Sequence, residues 1–161
     1  MDEWLDILTR AMKLEQDGRE FYLHAATMTD DKSAQKMFRR LADDELHHYT
    51  YLQREYASLL CDDRWCVIPE LETVERIDEE EPIFPPADRE LDETLGENPT
   101  LEDVLLFALD AEDKSFKLYQ ESAKKVSDSE AKALFNSLAS AEMGHFTTVM
   151  QRYESFFGYP R

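Results

Sequence analysis

The chain of 161 residues is short of positive charge: 18 lysines and arginines stand against 36 aspartates and glutamates, a formal net charge of -18. So acidic a surface repels the phosphates of nucleic acids and of anionic membranes, and neither is expected as a partner. The chain also lacks a long apolar run. Its longest, about Val104 to Leu109, falls far below the roughly 20 residues that cross a bilayer. Asp2, Glu3 and Asp6 do not suit a signal peptide, so a soluble, cytoplasmic protein is expected. Cysteine is scarce. Cys61 and Cys66 are too few for a disulfide framework, and the four residues between them fit neither a redox CxxC nor half a zinc knuckle. They read as reduced thiols, with a redox pair as the alternative. Proline is missing where it matters most: all six prolines lie outside residues 1 to 68 and 100 to 159, leaving two long blocks free of the strongest helix breaker. With 42% hydrophobic residues, a chain of this length can fill a sizeable core.

Both proline-free blocks carry the three- and four-residue spacing of amphipathic helices. In the first, Trp4, Leu8, Ala11, Glu15, Gly18, Tyr22 and Ala26 share one face; after the polar break TDDKS, Ala34, Phe38, Leu41, Glu45, His48 and Leu52 do the same. In the second, Leu105, Ala108, Glu112, Ser115, Tyr119 and Ala123 are followed by Ala131, Phe135, Leu138, Glu142, His145 and Val149. Sliding residues 1 to 58 forward by 97 positions lays Glu15 on Glu112, Tyr22 on Tyr119, Phe38 on Phe135, Glu45 on Glu142, His48 on His145 and Tyr56 on Tyr153, without a gap. A duplicated hairpin is the economical explanation. The expected fold is all-α, one domain over residues 1–161: a four-helix bundle of two duplicated helical hairpins, 1–58 and 100–157, joined by a long crossover, 59–99. If the hairpins pair about a pseudo-two-fold axis, the second and third helices run parallel. The crossover must then travel the bundle's length, roughly 37 Å for a helix of about 25 residues. Its run from Glu70 to Glu93 holds eleven acids against two arginines, which predicts a solvated connection. Thr100 with Asp103, and Ser127 with Glu130, have capping-box spacing, the latter opening the fourth helix.

Six ionisable residues occupy core positions of this pattern: Glu15, Glu45, His48, Glu112, Glu142 and His145. A buried, uncompensated carboxylate costs several kcal/mol, and four at one depth repel each other. Something cationic is required, and the central core positions hold neither lysine nor arginine. Holding all four carboxyls neutral at pH 7 would need a large upward pKa shift at every site. A pair of divalent metals meets the requirement. Glu and His at i and i+3 share one helical face, and two such pairs, with one Glu from each remaining helix, make the ligand set of carboxylate-bridged dinuclear sites. Four oxygen donors and two imidazoles suit iron or manganese. A lone Glu-x-x-His is weak, but here it occurs twice, each time 30 residues after a core glutamate and in the same repeat register.

At these residues the chain resembles a known family. The segments LEQDGREFYLHAA with FRRLADDELHH, and AEDKSFKLYQESA with FNSLASAEMGH, look like the two halves of a rubrerythrin-type, ferritin-like di-iron protein. The likeness covers both hairpins. It implies a ferritin-like bundle with two iron ions, manganese or a mixed pair being alternatives. Glu45 and Glu142 would bridge the metals, Glu15 and Glu112 would be terminal ligands, and His48 and His145 would each hold one metal. Two departures stand out. Typical members carry an additional helix-three glutamate one turn after the first, where this chain has Ser115, opposite Gly18 in the first repeat. They also carry a rubredoxin domain with two CxxC knuckles, absent from these 161 residues, so an external electron-donor protein is implied.

Tyr22 and Tyr119 lie two turns from Glu15 and Glu112 on the same face, within reach of a ligand carboxylate; as plain core aromatics they would look identical. His47 faces away from His48 and is matched by Gly144, and His24 has no matching histidine, so both read as surface residues. Three functions compete. The resemblance favours an oxidoreductase that reduces a small-molecule oxidant, hydrogen peroxide or dioxygen, in a homodimer. A ferroxidase or iron store would suit the acidic surface. A helical scaffold with a relic site is the third.

Overall fold

The two proline-free blocks form four long helices: α1 (Asp2–Thr27), α2 (Lys32–Leu60), α3 (Leu101–Lys125) and α4 (Ser129–Phe157). They belong to a computed structural model that describes residues 2–60, 84, 95, 96 and 98–158. Among the described residues there is no strand. Helices α1 and α2 pack as one hairpin and α3 and α4 as the other, with α1 beside α3 and α2 beside α4. The expected all-α four-helix bundle is therefore observed. No helix of the described residues is long and apolar enough to cross a membrane.

Contacts between the hairpins fix their relative direction. Tyr22, late in α1, reaches Glu112 in the middle of α3, while Tyr119, later in α3, reaches back to Glu15. Phe21 likewise meets Phe107 near the start of α3, ring centroids 5.1 Å apart. These crossed contacts require α1 and α3 to be antiparallel, so α2 and α3 run parallel, as a pseudo-two-fold pairing demands. The core follows the repeat. Leu8, Ala11, Tyr22, Ala26, Ala34, Phe38, Leu41 and Leu52 are buried, and so are their second-half counterparts Leu105, Ala108, Tyr119, Ala123, Phe135, Leu138 and Val149, with Ala131, opposite Ala34, partly buried. Phe38 stacks near Tyr22 and Phe135 near Tyr119, with centroid separations of 6.1 and 6.2 Å. Truncating either phenylalanine would cost about 3–5 kcal/mol, the range for a large buried aromatic.

Helix starts agree with the sequence at one end of the second hairpin and differ at the other. Thr100 caps α3 in a reciprocal box with Asp103, as expected. The expected Ser127–Glu130 box does not open α4. Asp128 is the cap, its carboxylate accepting from the amides of Glu130 and Ala131. An ionised acceptor at the positive end of the helix dipole outcompetes a hydroxyl one residue earlier. Asp31, its equivalent in the first repeat, accepts from the Ala34 amide at the head of α2.

The acidic run of the crossover lies almost wholly outside the described residues, as do Cys61 and Cys66. Phe84 departs from the expected solvated connection: it is buried, with ring contacts to Phe21 and Tyr22 at 5.5 and 5.9 Å. Gly18 makes room for it. A Cβ at Gly18 would stand 3.1 Å from the Phe84 ring and 3.4 Å from Glu45 Oε1.

Candidate metal centre

All six core-phase ionisable residues converge at mid-bundle. Glu15, Glu45, Glu112, Glu142 and His145 are buried, and His48 is largely so. His48 Nδ1 lies 3.1 Å from Glu15 Oε2, 3.2 Å from Glu45 Oε2 and 3.6 Å from Glu142 Oε1. His145 Nδ1 lies 3.3 Å from Glu142 Oε2 and 3.5 Å from both Glu45 Oε1 and Glu112 Oε1. The two imidazoles face each other nearly parallel, centroids 5.5 Å apart and planes 20° from coplanar. The glutamates reach this layer because each lies on the inward stripe of its helix. The i,i+3 step then places His48 beside Glu45 and His145 beside Glu142.

The donors divide into two overlapping groups. Glu15, Glu45, His48 and Glu142 offer atoms within 4.8 Å of one another, and so do Glu45, Glu112, Glu142 and His145. Glu45 and Glu142 belong to both. Donors about 2.1 Å from a common ion stand at most about 4.2 Å apart, so either group closes on a cation with small side-chain movements. Whether a cation suits the site can be read from the atoms left over. Glu45 Oε2, Glu112 Oε2, Glu142 Oε2 and His145 Nδ1 are buried and have no hydrogen-bond partner. Unpartnered buried acceptors of this kind are costly. Among the described residues no lysine or arginine is buried to offset them. The residues therefore fit a bound metal cation.

The electrostatics of the bare protein make the same point. Burial pushes the carboxyls of Glu15 and Glu112 well above the usual range, reinforced by repulsion from neighbouring glutamates. For Glu142, burial acts upward but is outweighed by the His145 and His48 imidazoles close beside it, which hold it low. Burial would lower both imidazoles, but the surrounding carboxylates win. His48 is pushed up to about 12, and His145 is raised further. Without metal, the histidines carry the compensating positive charge and two glutamates lean toward the neutral acid. The cation that the sequence demands is thus supplied in part by protons.

Tyr22 and Tyr119 are more than core aromatics. Each is buried and donates its phenolic hydroxyl to a glutamate of the opposite hairpin, Tyr22 to Glu112 Oε1 and Tyr119 to Glu15 Oε1. Neither serves the glutamate two turns away on its own helix. Burial, then the nearby glutamates, push both phenols well above their ordinary 10.0, so they remain donors. Ser115 is buried where typical relatives carry the additional glutamate, and its hydroxyl donates to the Ala111 carbonyl at 2.9 Å. His24 and His47 are exposed, as expected.

Sequence reasoning missed one residue of the site. Asp44 Oδ2 lies 3.3 Å from His145 Nε2, the ring nitrogen turned away from the glutamates. This hydrogen bond holds the Asp44 carboxyl below its usual range. The duplication hides the residue, because the matching position is Ala141.

The fold and donor set define a helical-bundle protein built around a buried carboxylate–histidine centre. The sequence model of the rubrerythrin family matches residues 6–153, and the chain belongs to that family. Among solved structures it is similar to a hypothetical protein from Pyrococcus furiosus, at 28% identity and a TM-score of 0.68, covering 94% of this chain and 88% of that one. It shares its fold with an uncharacterized conserved protein from Magnetospirillum magnetotacticum, at 21% identity and a TM-score of 0.63, covering 96% and 94%. No curated protein matches it significantly.

Proposed function

We propose that the protein is a di-iron oxidoreductase of rubrerythrin type, which reduces hydrogen peroxide or dioxygen with electrons from an external donor protein. One observation carries this reading: two donor groups of three carboxylates and one imidazole share Glu45 and Glu142, and they leave four buried donor atoms without partners. In this reading Glu45 and Glu142 would be ligands common to both metals. Glu15 and His48 complete one position, Glu112 and His145 the other. When bound, a ferrous pair supplies two electrons, taking hydrogen peroxide and two protons to two waters. The protein's part is to hold and to exclude. Four glutamates bring charge compensation, and the imidazoles fix each position by their Nδ1 atoms. Tyr22 and Tyr119 keep Glu112 and Glu15 from swinging, each from the opposite hairpin. Apolar layers around the two tyrosines keep bulk water out.

The test is anaerobic reduction of protein carrying two irons per chain, followed by rapid mixing with peroxide or with dioxygen. Stoichiometric oxidation, faster with peroxide, supports the reading. Slow reaction with peroxide but rapid turnover of added Fe(II) overturns it in favour of iron handling, which the net charge of -18 would also suit. Native mass separates the homodimer proposed here from a hollow storage shell.

A further inference from the structure

The six proposed ligands obey the 97-residue repeat, so the two metal positions are equivalent in their immediate donors. Around them the equivalence fails, and at one place the difference touches a ligand imidazole directly. His145 has Asp44 on its outward nitrogen, Nε2 to Oδ2 at 3.3 Å. The repeat puts Ala141 at the matching place beside His48, and a methyl group accepts no hydrogen bond. We propose that Asp44 is a positioning residue that makes the two metal positions inequivalent, so that the position held by His145 fills first and the one held by His48 second.

The argument concerns tautomer and orientation. An imidazole can bind a metal through Nδ1 only when Nδ1 carries no proton, and an acceptor on Nε2 favours that form. His145 Nδ1 already faces Glu45, Glu112 and Glu142, and it is one of the buried atoms without a hydrogen-bond partner. Asp44 therefore fixes the direction of the ring, and once a metal displaces the Nδ1 proton it keeps the remaining proton on Nε2 and adds electron density to the ligating nitrogen. Outer partners of this kind are typically worth about 10–100-fold in metal affinity. Asp44 is itself half-exposed, and the hydrogen bond with His145 outweighs the partial burial of its charge. Among the described residues, His48 has the glutamates and the stacked His145 ring beside it and no carboxylate corresponding to Asp44.

The inference rests on the dinuclear reading above, and the experiment separates the failure of one from the failure of the other. Metal-free full-length protein is titrated anaerobically with Co(II), followed by visible absorption and calorimetry. Wild-type chain should show two steps about 10–100-fold apart in affinity. His145→Ala should remove the tight step and His48→Ala the weak one. Asp44→Ala should weaken the tight step by about 10–100-fold and merge it with the second, whereas Asp44→Asn, which keeps an acceptor oxygen, should restore part of the gap. Ala141→Asp keeps every native side chain of the site and should tighten the weak step. Two equal steps in the wild type, or steps unmoved by Asp44→Ala and Ala141→Asp, overturn the inference and leave the dinuclear site intact. Failure of the wild-type chain to bind any Co(II) overturns both.

Discussion

The two hairpins are one design used twice, and comparing them separates what the site requires from what each half adds. Required features recur at the same register: Glu15 and Glu112, Glu45 and Glu142, His48 and His145, Tyr22 and Tyr119, all at mid-bundle. The additions do not recur. The first half has Gly18, which admits the Phe84 ring beside Glu45; the second has Ser115, whose hydroxyl is committed to its own helix. The first half has Asp44 and the second Ala141. Symmetry thus extends to the donors and their phenolic partners and stops there. Whatever distinguishes the two donor groups must come from outside the donors themselves.

The largest effect should come from the residues common to both donor groups. Glu45→Ala and Glu142→Ala should each lower metal content from about two ions per chain to near none, since each removes a ligand from both positions at once. Glu15→Ala or Glu112→Ala should spare one ion. The metal-free proteins should divide differently: without Glu15 or Glu112, whose buried carboxyls are raised, melting temperatures should hold or rise, whereas without Glu142, which is held low by both histidines, they should fall. Elemental analysis with thermal melts checks both, and a bridging variant that retained two ions would break the assignment.

The next effect is a divergence with pH. In the metal-free protein the His48 imidazole stands at about 12 against its ordinary 6.5. Its contribution to stability is complete below about pH 6.5 and is withdrawn as pH climbs toward 12. His145, also raised, acts in the same sense. Glu15 and Glu112, raised by burial, favour the fold most below their ordinary 4.5 and less above it. Glu142 and Asp44, both held low, work the other way, and their contributions disappear in acid. The metal-free melting temperature should therefore fall between about pH 6 and about pH 9. Metal binding releases these protons and tightens as pH rises, so the loaded protein should hold or gain stability over that interval. Parallel curves for the two forms would show that the cluster does not exchange protons for metal.

A smaller and more symmetric effect belongs to the tyrosines. Tyr22→Phe and Tyr119→Phe each delete one hydroxyl donated to a buried carboxyl, a loss of about 1.5–3 kcal/mol if that carboxyl is charged. Chemical denaturation of the loaded protein should give nearly equal losses for the two variants. A difference well beyond 1 kcal/mol (roughly the spread of such contributions) would mean that the environments of Glu112 and Glu15 are less alike than the repeat makes them.

How far the sequence could be read follows from where its signals are periodic. The helices, their pairing and the six core-phase donors all announce themselves through spacing, because burial of one helical face imposes a three- and four-residue period and duplication imposes a 97-residue one. The donors were legible for the further reason that acids on an apolar stripe violate the hydrophobic pattern and demand an explanation. The unread features are those with no period. Tyr22 and Tyr119 stood out by register, but their partners are on the opposite hairpin, which only the packing of α1 against α3 decides. Asp44 occurs once, one residue before Glu45, in a segment where acids are common. Phe84 lies within an acidic run whose composition says solvent, and only the open space over Gly18 explains its burial.

The smallest predicted effect concerns a place where the repeat was the better guide and a local motif misled. Ser127 and Glu130 have the spacing of a capping box, yet Asp128 caps α4, matching Asp31 at the head of α2 exactly one repeat earlier in position and role. Both carboxylates accept from the amide three residues on, Ala131 and Ala34 respectively. The surroundings differ: Asp31 also accepts from the Ser33 hydroxyl, the first cause of its lowered pKa, with the Ala34 amide next. Asp31→Ala and Asp128→Ala should each destabilise the protein measurably, through loss of a helix cap. Ser127→Ala should cost less than either, because its hydroxyl lies before the cap. Urea denaturation of the three variants orders them, and a Ser127→Ala loss equal to that of Asp128→Ala would restore the capping box and break the repeat at the helix heads.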